Sequence, residues 1–558
     1  MKTLRILLAG IVLLTVMGSC SSDFLDTTPT DDISSSTMFT SVDNAMMAIN
    51  GIHRLMHDSD YNTKYGHGGY QMFLLVTDMM GDDLLFTKVN AKFTDCARLA
   101  WHRNTTDVDA SYFYGFWNRV LGNANMIINN IEQAEGDETV RNYIHGQALT
   151  YRALSLFFLT QCYGSRYVAG QENNQLGCIL NLTCEKNPMP RSSVEECYAQ
   201  INRDLDQAIE LLATYQKERT NKTHINQWVA RAIKARVLLT QGRWSEAEQM
   251  AESVIAGSGA QLDDDTYDYQ AWMTTEYRMS QVSSSEWLWG KIGVDTQEKS
   301  LKHFHSFCSN NLASYNKNTP RVINKLLYNR ISNTDDRKLI WFPNAQGSTT
   351  HTYKNVEGES IKLVYPSSGN RFNYMSNKFL LPKGSSNSVT ADVPYVRLPE
   401  MYLIKAEALC HQGKDAEAAE ALYPLAYSRD KSYTLSTLTG EELLDEILFQ
   451  RRIELWGEGF RWFDLKRLHQ DLDRGPAPDT EAYPGSDKAW ISAKATTSAN
   501  GYNVDPNASN YNMYDTKGIG EENRHRDKDS NFWQWLFPTT ETLVNPLCEQ
   551  NPLGNDDK

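Results

Sequence analysis

The sequence predicts a mainly α-helical protein, in which helix pairs pack into an irregular scaffold that carries long loop-rich insertions and only minor β-structure. Two observations lead to this fold class. Apolar residues recur at three- and four-residue steps in successive segments of the chain, which is the period of an amphipathic helix. Two segments, near residues 256–396 and 471–529, lose that period and become rich in Gly, Ser, Asn and aromatic residues.

The first residues predict export and a lipid anchor. Lys2 and Arg5 precede an apolar stretch at residues 6–16, which is the order of a secretory signal peptide. That stretch is shorter than the roughly 20 residues that a membrane-spanning helix needs. Residues 17–20, MGSC, resemble a bacterial lipobox, so Cys20 is predicted to become the lipidated N-terminus. An ordinary signal peptide followed by a chance cysteine is the alternative.

Three regions are predicted along the chain. Residues 1–19 form the signal peptide. Residues 20–40 form a flexible tether, because a stretch rich in Ser, Thr, Asp and Pro cannot bury enough apolar surface to become ordered. Residues 41–558 form a single domain with the helical scaffold and both insertions. After the signal peptide, no segment reaches the 18 apolar residues that a further membrane span requires.

Helical order is predicted from about residue 41 onward. The first stripe of apolar residues runs from Ala45 through Ile49 and Ile52 to Leu55. The same period predicts further helices over residues 112–133, 140–163, 194–212 and 225–240. Within the first insertion, the run EWLW at residues 286–289 predicts a buried strand instead.

Two helix hairpins share one sequence pattern. Gly242 marks a turn, and Ala247 and Ala251 then stand four residues apart, so that the second helix can approach the first closely. A similar turn at Gly413 is also followed by small residues. This pattern of about 34 residues resembles the tetratricopeptide repeat, whose helix pairs bury their apolar faces against neighbouring pairs and form a solenoid.

Composition excludes one class of partner and favours others. The net charge of −14 and the absence of a basic stripe argue against nucleic-acid binding. The chain has 13 tryptophans and 28 tyrosines, whose flat rings and polar tips suit sugars and protein interfaces, although most are expected to be packed in the core.

Metal binding is not predicted. Eight cysteines remain besides Cys20, and they are equally compatible with disulfides in an oxidising compartment and with free buried thiols. They lack the paired spacing of a structural zinc site. His303, His305 and Cys308 lack a second ligand cluster, and their alternation favours a strand with one buried face. The acidic run at residues 263–265 with Asp268 favours a solvated loop, because it lacks the glycine and glutamate of a calcium-binding EF-hand.

An enzymatic function is considered and set aside. Glu454, Glu458 and Asp464 are close in sequence, and a glycosidase needs two carboxylates. However, four arginines lie three to four residues from these acids on predicted helical turns and are expected to pair with them; they are Arg451, Arg452, Arg461 and Arg467. The marks of a serine-hydrolase elbow, a zinc-peptidase helix and a phosphate-binding loop are also missing, so no catalysis and no cofactor are predicted.

The stretch ILFQRRIELWGEGFRWFDLKRL at residues 447–468 resembles the C-terminal signature of the SusD/RagB family of surface lipoproteins in Bacteroidetes. Other segments agree in order: FLD after the lipid cysteine, FWNRVLGNANMIINNI, GQALTYRALSLFFLTQCYG, RSSVEECYAQINRDLDQAI and FWQWLFPTTETLVNP. The resemblance covers nearly the whole chain. It departs from the family at Gln450, where a glutamate is usual, and in the lack of a proline after Gly164.

The resemblance implies a protein anchored in the outer membrane, exposed on the cell surface and not catalytic. Such a protein would capture an oligosaccharide or polysaccharide and deliver it to a SusC-like TonB-dependent transporter, which it covers as a lid. The helical repeats would be a platform and part of the transporter-facing side, and inserted loops would bind the ligand. The alternatives are a surface scaffold or adhesin that binds another protein, and capture of a non-glycan nutrient such as a peptide.

The ligand-binding residues are predicted in the loop LAWHRNTTD. Trp101 could offer a face to a sugar ring, and Arg103 and Asn104 could form hydrogen bonds with its hydroxyl groups. Tyr277 and Tyr315, in the aperiodic middle of the chain, are second choices. The alternative for each residue is core packing or contact with the transporter.

Overall fold

The computed structural model describes the chain with several gaps. The described residues are 38–56, 67–86, 93–185, 187–267, 277–294, 303–310, 316, 321–342, 350–354, 360–364, 374–381, 391–474 and 525–553. Cys20, Asp268 and Tyr315 lie outside them, as do most of the tether and most of the second insertion.

The protein is mainly helical, which confirms the predicted fold class. Its helices are α1 (Val42–Leu55), α2 (Gly69–Met80), α3 (Thr94–Ala97), α4 (Val108–Asn130), α5 (Glu138–Tyr163), α6 (Val194–Ala213), α7 (Gln227–Gln241), α8 (Trp244–Gly257), α9 (His305–Cys308), α10 (Lys325–Arg330), α11 (Leu398–His411), α12 (Asp415–Arg429), α13 (Gly440–Glu454), α14 (Arg461–Arg467) and α15 (Thr539–Thr542).

Local sequence signals explain where the long helices begin. The side chain of Asp107 accepts hydrogen bonds from the free backbone N–H groups of Asp109 and Ala110 at the start of α4. Ser193 and Glu196 form a reciprocal capping box at the start of α6. The four helices predicted between residues 112 and 240 are confirmed as α4 to α7, with ends shifted by a few residues.

The helices pack one after another as a solenoid. Helices α4 to α8 each contact the next, α8 packs against α11, and α11 packs against α12 and α13. Gly242 has a φ of 67° and Gly413 a φ of 72°, the left-handed conformation that ends a helix at a glycine. Ala247 and Ala251 are fully buried at the seam of the first hairpin. The two predicted hairpins are confirmed, and they contact each other although residues 258–397 separate them along the chain.

The described strands are short, and all but the first lie in or at the edge of the two insertions. They are β1 (Leu84–Phe86), β2 (Trp287–Lys291), β3 (Arg321–Ile323), β4 (Trp341–Phe342), β5 (Thr350–Lys354), β6 (Ser360–Val364), β7 (Met375–Ser376), β8 (Val393–Arg397), β9 (Leu472–Asp473) and β10 (His525–Arg526). One sheet has the order β1-β3-β7-β4, and β2 pairs with β8, β5 with β6, and β9 with β10. Strand β2 is buried along its whole length, which confirms the strand predicted there. Strand β8 leads directly into α11 and so ties the insertion to the solenoid.

The cysteine–histidine segment corrects one prediction. His305 and Cys308 lie in the short helix α9 and not in a half-buried strand. All four residues of this helix are buried, so the segment has no exposed face of the kind that a half-buried strand would show. The eight cysteines besides Cys20 are all free thiols in the described part of the chain, and only Cys184 among them is exposed. In the ranges that the structure covers, no helix has both the length and the apolarity needed to cross a bilayer.

Candidate functional site

Two of the three carboxylates that suggested a glycosidase, Glu454 and Glu458, belong to a buried group of charges, the ionic cluster. Within the described residues it brings together four acids and four cations, which are Glu286, Asp335, Glu454, Glu458, Arg337, Lys378, Arg397 and Arg429. Three of the arginines donate hydrogen bonds to Glu454 over 2.9 to 3.3 Å. Lys378 and Arg397 both donate to Glu458 over 2.6 Å. The insertion is thereby joined to α12 and α13.

The electrostatics of the ionic cluster are those of a structural ion pair. Burial alone would raise the pKa of Glu454, but Arg429, Arg397 and Arg337 hold that pKa well below its usual range. The carboxylate stays ionised and fully hydrogen-bonded, so it has no proton to donate to a leaving group. Glu454 and Glu458 are held in structural ion pairs, as predicted, but their cations are not the predicted ones.

Two of the four predicted arginines, Arg452 and Arg461, do not pair with these acids. Asp464 is paired as predicted, with Arg451 and Arg467 over 2.8 and 2.7 Å. Arg452 and Arg461 instead contact the acidic residues that follow α2, and Glu454 and Glu458 take their cations from the insertion and α12. Sequence spacing along α13 reports only local neighbours, whereas a buried carboxylate is paired by whichever chain segment packs over it.

Trp101, predicted to present a face to a sugar ring, lies in the core. Its side chain is only 2% exposed. The ring packs edge to face against Trp535 and Phe113, with ring centroids 4.8 and 5.8 Å apart. Neither face of the indole is open to a ligand in this structure, so Trp101 supports the segment around Trp535.

Arg103 and Asn104 have different surroundings. Arg103 is buried and donates hydrogen bonds to the carbonyl oxygens of Asn531, at 3.2 Å, and Pro552, at 2.6 Å. It therefore holds the C-terminal segment in place. Asn104 is exposed, and its Oδ1 accepts hydrogen bonds from the backbone N–H and the hydroxyl of Thr106. Its amide Nδ2 points to no acceptor among the described residues.

Of the two second choices, the structure describes only Tyr277. Tyr277 is buried, and its hydroxyl donates a hydrogen bond to the carbonyl oxygen of Asn377 over 3.3 Å. That environment matches the core-packing alternative. Tyr315 lies outside the described residues, so its predicted role stays a prediction.

A cleft of about 690 Å³, the polar cleft, lies beside the segment that Arg103 holds. It is lined by Ser165, Arg166, Val168, Gln171, Glu172, Asn173, Asn174, Gln175, Leu465, Lys466, His469, Lys528, Asp529, Ser530, Asn531, Trp533 and Gln534. Its volume is within the range of ligand-binding pockets. The exposed amides of Gln171, Asn174 and Asn531 provide donors and acceptors that suit the hydroxyl groups of a sugar.

The walls of the polar cleft are fixed by buried hydrogen bonds. Asn173 has a φ of 49°, and its side chain bonds to both the N–H and the carbonyl of Val168, which shapes the loop after α5. Lys466 donates to the carbonyl oxygens of Gly164 and Trp533, both over 2.8 Å. Burial lowers the pKa of Lys466 to about 7. These contacts join the loop, α14 and the C-terminal segment into one rigid frame.

The polar cleft lacks an open aromatic face among its described lining residues. Trp533 is buried, packs at a tilt of 35° against Trp462 with ring centroids 4.6 Å apart, and donates its indole N–H to the carbonyl oxygen of Asp527. Sequence reasoning missed this cleft. One wall follows the landmark segment that ends in CYG, and another lies just before and at the start of the landmark FWQWLFP. The polar residues that flank these two landmarks were the available signal.

The predicted metal-capable residues form no site in the described ranges, where no group of three or more His, Cys, Asp and Glu residues is placed to hold an ion. The rings of His303 and His305 are 6.1 Å apart, and burial lowers the pKa of His303 to about 3, so that its imidazole stays neutral. Of the acidic run, Asp264 and Asp265 are exposed, as expected for a solvated loop.

Comparisons with known proteins agree with this fold. A model of the SusD family matches residues 218–553, and one described as "Starch-binding associating with outer membrane" matches residues 23–239. A SusD-like protein of Bacteroides ovatus is 22% identical over 493 residues, which cover 83% of this chain and 82% of that protein.

Two solved structures share the architecture. A SusD-like carbohydrate binding protein from Bacteroides vulgatus superposes with a TM-score of 0.70 at 21% identity, over 93% of this chain and 98% of that one. Surface glycan-binding protein A from Bacteroides thetaiotaomicron superposes with a TM-score of 0.61 at 16% identity, over 92% of this chain and 100% of that one. With more than half of its length matched by the family model and its helical solenoid shared with these structures, the chain belongs to the SusD family.

Proposed function

We propose that this protein is a surface-exposed, glycan-binding subunit that captures oligosaccharides and delivers them to a SusC-like TonB-dependent transporter. The observation that carries the proposal is the SusD family match over residues 218–553. The protein acts without catalysis, because Glu454 and Glu458 are locked in the ionic cluster and Asp464 is paired with Arg451 and Arg467.

The N-terminus supports a place at the outer membrane. The signal peptide and lipobox leave Cys20 as a lipidated N-terminus, and the residue 23–239 match is to proteins described as associating with the outer membrane. Two structural relatives carry names that specify carbohydrate or glycan binding. A lipid-anchored protein with this fold is suited to hold a nutrient above a transporter.

We place one contact surface for the glycan in the polar cleft. Exposed amides line it, and Arg103 and Trp101 stabilise its C-terminal wall from behind. Asn104 stays a proposed ligand contact because its amide is exposed. Tyr277 is assigned to packing, and Tyr315 stays a proposed contact in the insertion.

The test is a glycan array followed by calorimetry, with protein that begins at Ser21. We expect one class of glycan to bind without any product being released. The double variant Gln171→Ala/Asn531→Ala should lower the affinity about tenfold, because both exposed amides would lose their hydrogen bonds to the sugar while the described fold does not depend on either side chain. Asn123→Ala, an exposed asparagine on α4, is the matched control.

The alternative functions predict other results. A scaffold or adhesin would bind no glycan, and a strain that lacks its gene would grow normally on every glycan. A peptide-capturing protein would bind peptides in the same calorimeter. Normal growth of a deletion strain on every glycan tested would contradict the proposal, whereas a defect on one glycan but not on glucose would support it.

A further inference from the structure

A second cleft, of about 450 Å³, lies on the helical repeats, where the end of α6 and the start of α7 meet α5. We name it the cationic cleft. Its lining residues are Tyr143, Leu212, Tyr215, Gln216, Lys217, Glu218, Arg219, Asn221, Lys222, Asn226, Gln227, Trp228 and Ser258. None of the residues predicted from the sequence to bind ligand lies here.

Two cations in this cleft have no carboxylate partner among the described residues. Arg219 donates hydrogen bonds only to the carbonyl oxygens of His224 and Leu288. Lys222 donates to the carbonyl oxygen of Ser284 over 2.6 Å. Burial lowers the pKa of Arg219 to about 10, and burial together with the charge of Arg219 lowers that of Lys222 to about 8. Elsewhere in the described chain, the more deeply buried Arg152 is paired with Asp204.

The free-energy cost of burying Arg219 and Lys222 beside each other would fall if an anion entered the cleft. Two neighbouring cations repel each other and have lost part of their hydration, so the unliganded state is unfavourable for both. A guanidinium has five N–H donors in one plane, and Arg219 uses only two of its nitrogens on the described acceptors. A planar carboxylate or a sulfate could take the remaining donors.

A buried hydroxyl group in the cleft also lacks a partner. Tyr143 is 3% exposed, and its hydroxyl makes no hydrogen bond in the structure. Burial raises the pKa of Tyr143 well above its usual range, so the group stays protonated and can donate. Leaving such a group unsatisfied costs about 1–3 kcal/mol, and a bound ligand that accepts its hydrogen bond would recover this cost.

The remaining lining suits a sugar ring. Tyr215 is partly exposed and stacks on Tyr143 with ring centroids 4.1 Å apart, and Trp228 is partly exposed on the other helix. The side-chain oxygens of Asn221 and Asn226 are used within the loop and the helix cap, but their amide N–H groups have no acceptor in the described residues. The cleft therefore combines cations, neutral donors and aromatic surface.

We infer that the cationic cleft binds an acidic saccharide unit, that is, a sugar that carries a carboxylate or a sulfate. The anionic character follows from Arg219 and Lys222, and the saccharide character rests on the proposed function. This site is separate from the polar cleft, whose exposed amides suit neutral hydroxyl groups. The protein would thus select for anionic glycans on its helical face.

The test is calorimetry with three oligosaccharides of equal length: an oligogalacturonate, which carries carboxylates; a carrageenan oligosaccharide, which carries sulfates; and a cello-oligosaccharide, which is neutral. We expect at least one acidic ligand to bind, and Lys222→Gln and Tyr143→Phe each to weaken it about tenfold. Affinity should fall when the salt concentration of the assay buffer is raised from about 50 to about 500 mM. At the higher concentration the Debye length is roughly 5 Å or less, so the attraction between the ligand's charge and the cations is strongly screened. Whichever acidic ligand binds identifies the source of the anion.

Tyr143→Phe separates a binding role from a structural one. Because its hydroxyl has no partner in the free protein, the variant should keep or slightly raise the melting temperature while it loses affinity. Tyr163→Phe is the matched control: its hydroxyl is also buried and unpartnered, but it stands at the other end of α5, and its removal should leave affinity unchanged.

Three outcomes would overturn the inference. Binding of the neutral ligand but of neither acidic one would refute it and leave the proposed function intact. Acidic ligands that bind equally well to wild type, Lys222→Gln and Tyr143→Phe would place the anion elsewhere. If none of the three saccharides nor any glycan on the array bound, the inference and the proposed function would both fail.

Discussion

The ionic cluster and the cationic cleft place the same kinds of side chain in opposite settings. In the ionic cluster, Glu454 meets Arg337, Arg397 and Arg429, and every charge there is buried and compensated. In the cationic cleft, Arg219 is partly exposed, and its acceptors among the described residues are carbonyl oxygens. Compensation within the chain serves stability, whereas charge left uncompensated at an open cleft is available to a ligand.

The first prediction concerns a single acid of the ionic cluster. Glu454→Gln should lower the free energy of unfolding by about 3–5 kcal/mol, because three buried arginines would lose their shared counter-charge. Urea denaturation followed by circular dichroism measures the change. Glu441→Gln is the control, since Glu441 lies exposed on the same helix and should change the stability by less than about 0.5 kcal/mol. A small loss in Glu454→Gln would mean that the ionic cluster is not compensated as described.

The second prediction extends the comparison to an aromatic residue predicted from sequence to bind ligand. Trp101→Ala should destabilise the protein by about 3–5 kcal/mol, because it empties a core position between Trp535 and Phe113. Thermal unfolding measures this effect, and Asn104→Ala, three residues away and exposed, should be close to neutral. A fully stable Trp101→Ala variant that binds no glycan would restore Trp101 as a ligand contact.

The third prediction uses pH to probe paired acids. Arg451 and Arg467 hold the pKa of Asp464 at about 2 against the effect of burial, whereas in the unfolded chain it is about 3.9. A depressed pKa gives stability that is fully present above about pH 4 and is lost as the pH falls toward 2, on the order of 2 kcal/mol. The free energy of unfolding measured from pH 6 to pH 2 should therefore fall less steeply in Asp464→Asn. Equal slopes in both proteins would contradict the pairing.

The smallest effect on stability is expected in the cationic cleft. Lys222→Gln should change the free energy of unfolding by less than about 1 kcal/mol, because the lost hydrogen bond to Ser284 is offset by relief of repulsion from Arg219. The same urea titration measures it beside Glu454→Gln. A loss as large as that of Glu454→Gln would show that Lys222 is a structural cation, and the difference between the two regions would disappear.

Local sequence patterns predicted much of the scaffold. The helices, the glycine turns at Gly242 and Gly413 and the buried strand at residues 287–291 follow from apolar period and turn chemistry, which act between neighbours in the chain. The candidate site was harder to predict. Trp101 and Arg103 have the residue types of a sugar site, but the C-terminal segment covers both of them.

The sequence by itself determined the helical scaffold and the family, because apolar period and motif order are properties of the linear chain. Only the tertiary structure decided which charges are paired and which remain open. Arg397 reaches Glu454 across 57 positions, and Arg219 and Lys222 have no carboxylate partner in the described part of the chain, since burial and partners depend on segments that are distant in sequence. That division separates the residues that hold this fold from those available to bind a ligand.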